Sequence, residues 1–246
     1  MITGKIAKLE TLGTLDGPGV RTVVFFQGCV LRCAYCHNPA LLTLQGGTEM
    51  TAQELFEKVV KFKQYFKNGG GVTVSGGEPL IQTEFLTEFF KLCKQNEINT
   101  CLDTSGVGFG DFDELLKYTD LALLDIKHTD VGEFKKLTLI DKDRTAEFHN
   151  ALKANKTPIW LRQVIIPDVT DNEAYLDSLL KEILKFDTIE KVEFLPFHTM
   201  ATTAYDELGI EYRYKGKPAM DNIKCTQLLN LFLQKYKPYN NKLINF

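Results

Sequence analysis

Residues 29–37 read CVLRCAYCH, which sets Cys29, Cys33 and Cys36 at C-x3-C-x2-C spacing, while Cys93, Cys101 and Cys225 are scattered. Thiols at that density bind metal or do redox chemistry. A structural zinc site takes four ligands, usually as two close pairs, and this chain has one triplet and no second pair. His37 is a poor fourth ligand, because it adjoins Cys36 and neighbouring residues seldom both reach one tetrahedral centre. A 4Fe–4S cluster on three cysteines leaves one iron open to a substrate or cofactor, as a catalytic zinc keeps a position for water. The triplet therefore points first to such a cluster, with zinc or unliganded thiols as the alternatives. The scattered cysteines read as small buried apolar residues.

Other groups with chemical potential stand at the ends of short apolar runs. The candidate strands are 21–27, 71–75, 98–103, 121–127, 158–166 and 191–197. Cys29 follows the first and Ser75-Gly76-Gly77-Glu78 the second. Asp103-Thr104 closes the third, Asp125 and Lys127 the fourth; Arg162 lies in the fifth and His198 follows the sixth. Amphipathic stretches separate these runs. One begins at Thr51, with Glu54 placed for a capping box, and similar patterns cover 82–96, 171–186 and 225–236. Alternating strands and helices imply parallel pairing through crossovers, in an open doubly wound sheet or a partial barrel. Polar groups at the carboxyl ends of six successive strands favour the barrel. The expected architecture is α/β, a partial (β/α)6 TIM-like barrel, open on one side and able to admit a large substrate, with residues 1–246 as a single domain.

The composition is that of a globular protein: 246 residues, 44% hydrophobic and 25% charged. A chain of this length buries roughly three quarters of its extended surface and needs no staples. The net charge of −3 gives no reason to expect nucleic acid or an anionic membrane as partner. No apolar run approaches a membrane span, and the N-terminus has no signal-peptide core. A cytoplasmic monomer is expected, and in a reducing compartment clustered cysteines are seldom disulfides.

The triplet with Tyr35 before its last cysteine, followed by SGGEP (75–79), resembles the radical S-adenosylmethionine (SAM) enzymes. DGPGVRTVVFFQGCVLRCAYCHNP (16–39) resembles the signature of the glycyl-radical-enzyme activases within them. GGGVTVSGGEPL, CLDTSG, LLDIKH, LRQVIIP and FLPFH resemble successive segments of the same family, and the likeness runs from about Ile6 to Phe246. HNPALLTLQGG (37–47) leads straight into the first helix, without the extra cysteines of the ferredoxin-like insert found in some activases. That is similar to the short, single-cluster, formate-lyase subgroup. Pro79 and Gln163 depart from the best-known member outside the cysteine motif and leave fine specificity open.

The resemblance implies that Cys29, Cys33 and Cys36 ligate three irons and that SAM chelates the fourth through its amino and carboxylate groups. One electron then yields methionine and a 5′-deoxyadenosyl radical, which takes hydrogen from a glycine of a partner protein. The implied partner is pyruvate formate-lyase, or alternatively another glycyl radical enzyme, with flavodoxin or ferredoxin as electron donor in anaerobic metabolism. SAM contacts are implied for Tyr35, Cys36, His37, Gly76, Gly77, Glu78, Asp125, Ile126, Lys127 and His198. The glycines permit close backbone approach, and Glu78 orders their loop or accepts from the SAM ammonium. Tyr35 either stacks near adenine or packs its own loop. Two neighbouring carboxylates, Asp103 and Asp125, repel unless a cation or proton is shared. The family's monovalent cation (Na or K) implies Asp103, Thr104, Asp125 and the Leu123 carbonyl as ligands; otherwise each Asp caps a turn. Arg162 is costly to bury unpaired and meets a carboxylate of SAM, substrate or the protein. Asp16, a turn former, is a candidate contact for substrate backbone.

Overall fold

The computed structural model describes residues 2–239. In chain order the strands and helices are β1 (Thr3–Gly13), β2 (Arg21–Phe26), β3 (Thr48–Thr51), α1 (Ala52–Val59), β4 (Gly71–Gly76), α2 (Thr83–Gln95), β5 (Asn99–Thr104), α3 (Phe112–Leu116), β6 (Leu121–Asp125), α4 (Val131–Thr138), α5 (Ala146–Asn155), β7 (Ile159–Ile165), α6 (Glu173–Ile183), β8 (Ile189–Pro196), α7 (Thr202–Leu208) and α8 (Asn222–Tyr236). The chain divides into two compact units: Met1–Leu31, Leu41–Leu123 and Asp143–Thr157 form one, and Arg32–Ala40, Leu124–Lys142 and Pro158–Phe246 the other. The last residues of the resemblance, 240–246, lie outside the described residues.

In the first unit β2, β4 and β5 run parallel, with Arg21 opposite Gly71 and Val74 opposite Leu102. Their near-continuous burial, RTVVFF in β2 above all, is what a parallel strand covered on both faces requires. Strand β1 pairs antiparallel with both β2 and β3. Neither β1 nor β3 was expected: TGKIAKLETLG carries charge throughout, and only its first half alternates with buried positions. At the start of α1 the Thr51 hydroxyl accepts from Glu54 N–H at 3.2 Å, and the Glu54 carboxylate accepts from Thr51 N–H at 2.8 Å. The helix expected through residue 66 tightens to 3-10 geometry over Val60–Tyr65, after two consecutive β-branched valines. Helix α2 lays Phe85, Leu86, Phe89, Phe90 and Cys93 into the core.

Arg21 organises the base of this unit. It is fully buried. Its Nε donates to the Thr73 hydroxyl at 2.6 Å, Nη1 to the carbonyls of Pro18 (3.0 Å) and Gly69 (3.1 Å), and Nη2 to Val72 O (2.7 Å) and Asn99 Oδ1 (2.9 Å). One guanidinium thus ties the DGPG turn to the starts of β4 and β5. Burial lowers its pKa, against the pull of Cys101, Asp120 and Asp16. Asp16 lends its backbone carbonyl to the same knot, accepting from the Thr73 hydroxyl at 2.5 Å.

In the second unit β7 and β8 are parallel, with Arg162 opposite Glu193, and α8 packs on β8 through the Phe194 and Phe232 rings, 5.3 Å apart. Helix α6 is capped by Asn172 and α8 by Asp221, so that α8 starts three residues before the expected position 225. The short helices α3, α4, α5 and α7 were not anticipated, being only five to ten residues long. The parallel strands form a sheet that is not closed into a barrel. No described helix is long and apolar enough to cross a membrane.

Replacing Arg21 by Met leaves several buried carbonyls and hydroxyls without a donor, which predicts a loss of about 3 kcal/mol or more. The urea midpoint, read at constant m-value, checks this against exposed Lys58→Ala, expected to change stability by no more than about 0.5 kcal/mol.

Candidate active site

In the first unit, β2 runs into Gln27-Gly28-Cys29 and β4 into the Gly76-Gly77-Glu78 loop. The two segments touch through backbone. Gly77 N–H donates to Phe26 O at 3.0 Å and Glu78 N–H to Gly28 O at 2.9 Å. A Cβ on Gly77 would stand 1.9 Å from the Gly28 carbonyl oxygen. One on Gly76, where φ is +114°, would stand 2.4 Å from Phe26 N. The glycine pair expected for close approach to a cofactor is thus already demanded by the strand that delivers Cys29.

Glu78 is 2% exposed. Its Oε1 accepts from the Thr104 hydroxyl (2.5 Å) and Leu80 N–H (3.2 Å), and its Oε2 from Ser105 N–H (2.9 Å) and the Ser105 hydroxyl (2.6 Å). Burial pushes its carboxyl up, and the Ser105, Thr104 and Leu80 donors pull it back. Of the two roles considered for Glu78, ordering the loop is the one its geometry serves. Asp103 accepts from the Ser75 hydroxyl at the end of β4 at 2.7 Å, while Thr104 beside it reaches Glu78 in the loop that follows. Leu123 is buried within β6.

In the second unit, Arg32–Ala40 carries Cys33, Tyr35, Cys36 and His37. Cys36 N–H donates to Cys33 O at 3.1 Å, which turns the chain between the two thiols. The loop is seated on the C-terminal end of α4: Arg32 N–H donates to Thr138 O and Ala34 N–H to Leu137 O, both at 2.8 Å. Those carbonyls have no partner inside a helix that stops there. Lys127 Nζ lies 2.5 Å from Asp125 Oδ2, the two side chains being 13% and 18% exposed, and 5.7 Å from the Tyr35 ring centroid. Ile126 N–H donates to Arg162 O at 3.0 Å. The rings of His37 and His198 meet edge-on at 6.0 Å.

Burial alone would lower the Lys127 pKa. Asp125, with Tyr35 and Cys33 behind it, instead holds the ammonium charged well above the usual lysine range. Burial pushes the Cys33 thiol up to about 11 against the pull of Lys127, and raises Cys36 and the Tyr35 phenol as well. Among the described residues, Tyr35 Oη, Asp125 Oδ1 and His198 Nδ1 are buried without a hydrogen-bond partner. Such orphaned atoms are costly to a fold and call for an explanation; a polar ligand supplies one. Arg162 has its carboxylate inside the protein, Glu193 at 2.9 Å.

Cys29, Cys33 and Cys36 are partly accessible and not in disulfides, whereas Cys93, Cys101 and Cys225 are buried. Among the described residues no three His, Cys, Asp or Glu side chains are already gathered as a metal cage, so the ligand assignment rests on the C-x3-C-x2-C spacing. Arg213, which donates to the Arg32 carbonyl of the cysteine loop, and the stacked pair Tyr205 and Tyr212 that precedes it were not expected. They lie on a seven-residue helix and the turn after it, where no period marks them.

A family model described as a 4Fe-4S single cluster domain matches residues 15–142. The chain is 46% identical over 229 residues to the pyruvate formate-lyase-activating enzyme of Clostridium pasteurianum, covering 93% of this chain and 96% of that one. A crystal structure of a domain of pyruvate-formate lyase-activating enzyme from Bacteroides vulgatus superposes with a TM-score of 0.52 at 22% identity, covering 67% of this chain and 95% of that one. Streptococcus suis SuiB bound to S-adenosylmethionine superposes with a TM-score of 0.58 at 14% identity, covering 88% of this chain and 46% of that one. At these identities the structural likeness is one of fold. The identity to the clostridial enzyme along nearly the whole of both sequences goes further: this chain belongs to the pyruvate formate-lyase-activating enzymes, radical SAM proteins built around a single 4Fe–4S cluster.

Proposed function

We propose that this chain activates pyruvate formate-lyase by placing a radical on one of its glycines. The observation that carries the site reading is the group of buried, unpartnered polar atoms, Tyr35 Oη, Asp125 Oδ1 and His198 Nδ1, in the unit that also holds Cys33, Cys36 and a charged Lys127. Cys29, Cys33 and Cys36 would hold the cluster. Tyr35, Cys36, His37, Gly76, Gly77, Asp125, Ile126, Lys127 and His198 would hold SAM, with Glu78 acting through the loop that it orders. When bound, the cluster and SAM supply a one-electron cleavage to methionine and a 5′-deoxyadenosyl radical, which removes a hydrogen atom from a glycine α-carbon of the lyase.

This chain's residues bind and orient. Lys127 offers an ammonium to the SAM carboxylate or ribose, already aimed by Asp125. Asp125 Oδ1 offers an acceptor to a cation or to the SAM ammonium. A monovalent cation, Na or K, on Asp103, Thr104, Asp125 and the Leu123 carbonyl would set oxygen ligands against two carboxylates; the Thr104 hydroxyl already donates to Glu78 and accepts from Gly106 N–H at 2.9 Å, which leaves it one lone pair to offer. Flavodoxin or ferredoxin is the electron donor of this reading, the chain acts as a monomer, and the setting is an anaerobic cytoplasm, since oxygen destroys such clusters and radicals.

Anaerobic electron paramagnetic resonance on the reduced, reconstituted protein with SAM and pyruvate formate-lyase is expected to give a glycyl radical doublet that is absent without SAM. Methionine and 5′-deoxyadenosine without the doublet would redirect the reading to another glycyl radical enzyme. Replacing Cys29, Cys33 or Cys36 by Ala is expected to abolish SAM cleavage and the brown colour; cleavage that persists contradicts the ligand assignment. Lys127→Met removes one charge-assisted contact and is expected to weaken SAM binding roughly tenfold to a hundredfold, read by equilibrium binding to the cluster-loaded protein; unchanged affinity contradicts the role given to Lys127.

A further inference from the structure

Helix α4 ends against the cysteine loop, and a helix end leaves its last four carbonyls without partners inside the helix. Here all of them are met. Leu139, in the left-handed conformation at φ +60°, closes on Lys135 O at 2.8 Å. Lys136 O accepts from Arg213 Nη1 at 2.7 Å and Leu137 O from Arg213 Nη2 at 2.6 Å. The loop itself supplies Ala34 N–H to Leu137 O and Arg32 N–H to Thr138 O. Arg213 Nη2 donates in addition to the Arg32 carbonyl. A single guanidinium therefore spans the helix end and the loop seated on it. It reaches Arg32 from 181 residues along the chain, next to the Tyr205–Tyr212 stack, whose ring centroids are 4.5 Å apart.

Every acceptor on Arg213 is a backbone carbonyl. Among the described residues no carboxylate pairs with it: Glu133 is taken by Lys136 at 2.5 Å and Asp206 by Lys215 at 2.8 Å. A guanidinium does not lose its proton in a protein. The negative end of the α4 dipole offsets about half an elementary charge, and the remainder stands beside the loop. The Arg32 carbonyl is one peptide bond before Cys33, so ordinary bond lengths keep the Cys33 sulfur within about 8 Å of the nitrogen that donates to it. Reducing a cluster held by thiolates adds negative charge, and a fixed cation nearby favours that step. Arg213 is exposed, so solvent and salt damp the effect without removing it.

We propose that Arg213 is a positioning residue for the radical reaction: it clamps the Cys33 end of the cysteine loop to α4 and holds there a positive charge that makes the cluster easier to reduce. This rests on Cys33 being a cluster ligand. A clamp that is only structural would govern iron content and stability, and would leave the potential of a fully loaded cluster alone. Three substitutions separate the two roles. Arg213→Met removes both clamp and charge. Arg213→Lys keeps the charge and loses the fork. Lys215→Met removes an exposed neighbouring cation that Asp206 already neutralises.

The test is an anaerobic redox titration of the reconstituted proteins, followed by the paramagnetic signal of the reduced cluster, with iron counted in each. At a fixed reductant poise the ratio of reduced to oxidised cluster is expected to fall about threefold in Arg213→Met, equal to about 28 mV at about 59 mV per tenfold for a one-electron couple. It is expected to stay near wild type in Arg213→Lys and in Lys215→Met. An unmoved potential in Arg213→Met at full iron content overturns the proposal, and so does a fall of the same size in Arg213→Lys. Should Arg213→Met fail to take up iron, Arg213→Gln, which can still donate to a carbonyl, is titrated in its place, and an unmoved potential there overturns the proposal instead. A wild-type protein that holds no cluster, or a Cys33→Ala protein whose cluster has the wild-type spectrum, removes the ligand assignment beneath it.

Discussion

The contact between Gly77 and the Gly28 carbonyl is the constraint on which the first unit's share of the site depends. Two loops leave the carboxyl ends of adjacent parallel strands, one leading to Cys29 and the other forming the Gly76-Gly77-Glu78 turn. They lie so close that a single methyl group has no room. Two backbone hydrogen bonds lock the approach, and Glu78 fastens the turn to the end of β5 with three donors while a fourth, Leu80 N–H, comes from its own loop. A buried carboxylate is expensive unless it is fully satisfied, and full satisfaction is what makes this one a rigid strut.

The second unit solves a different problem, that of holding thiols and polar groups ready in a partly buried place. Its cysteine loop uses the orphan carbonyls at the end of α4 as a seat, which satisfies a helix terminus and fixes a loop at once. The Lys127–Asp125 pair keeps a buried ammonium charged. What that pair leaves over, one carboxylate oxygen without a partner, is a cost to the fold that bound ligand would relieve.

Much of this was legible in the sequence, and for physical reasons. Parallel strands buried on both faces announce themselves as apolar runs, and all six expected strands are present within a residue or two. The C-x3-C-x2-C spacing and the collinear motifs carried the family. What stayed hidden has equally plain causes. β1 is a charged strand paired antiparallel, α7 is too short to show a period, and the partners of Arg213 are far away in sequence. Glu78 was placed at the correct loop, but whether it faced a ligand or the protein depended on Thr104 and Ser105, about 26 residues further on. Arg162 posed the same choice, and Glu193 on the neighbouring strand decides it.

The most direct test of the backbone constraint is Gly77→Ala. The change adds no charge and no polar atom, so a glycine needed only for turn flexibility would be replaced at small cost. The account predicts a chain that keeps its secondary structure by circular dichroism but, on anaerobic reconstitution, binds markedly less iron than wild type, because the Gly28 carbonyl must move and Cys29 moves with it. Full iron content together with an unchanged urea midpoint would contradict it.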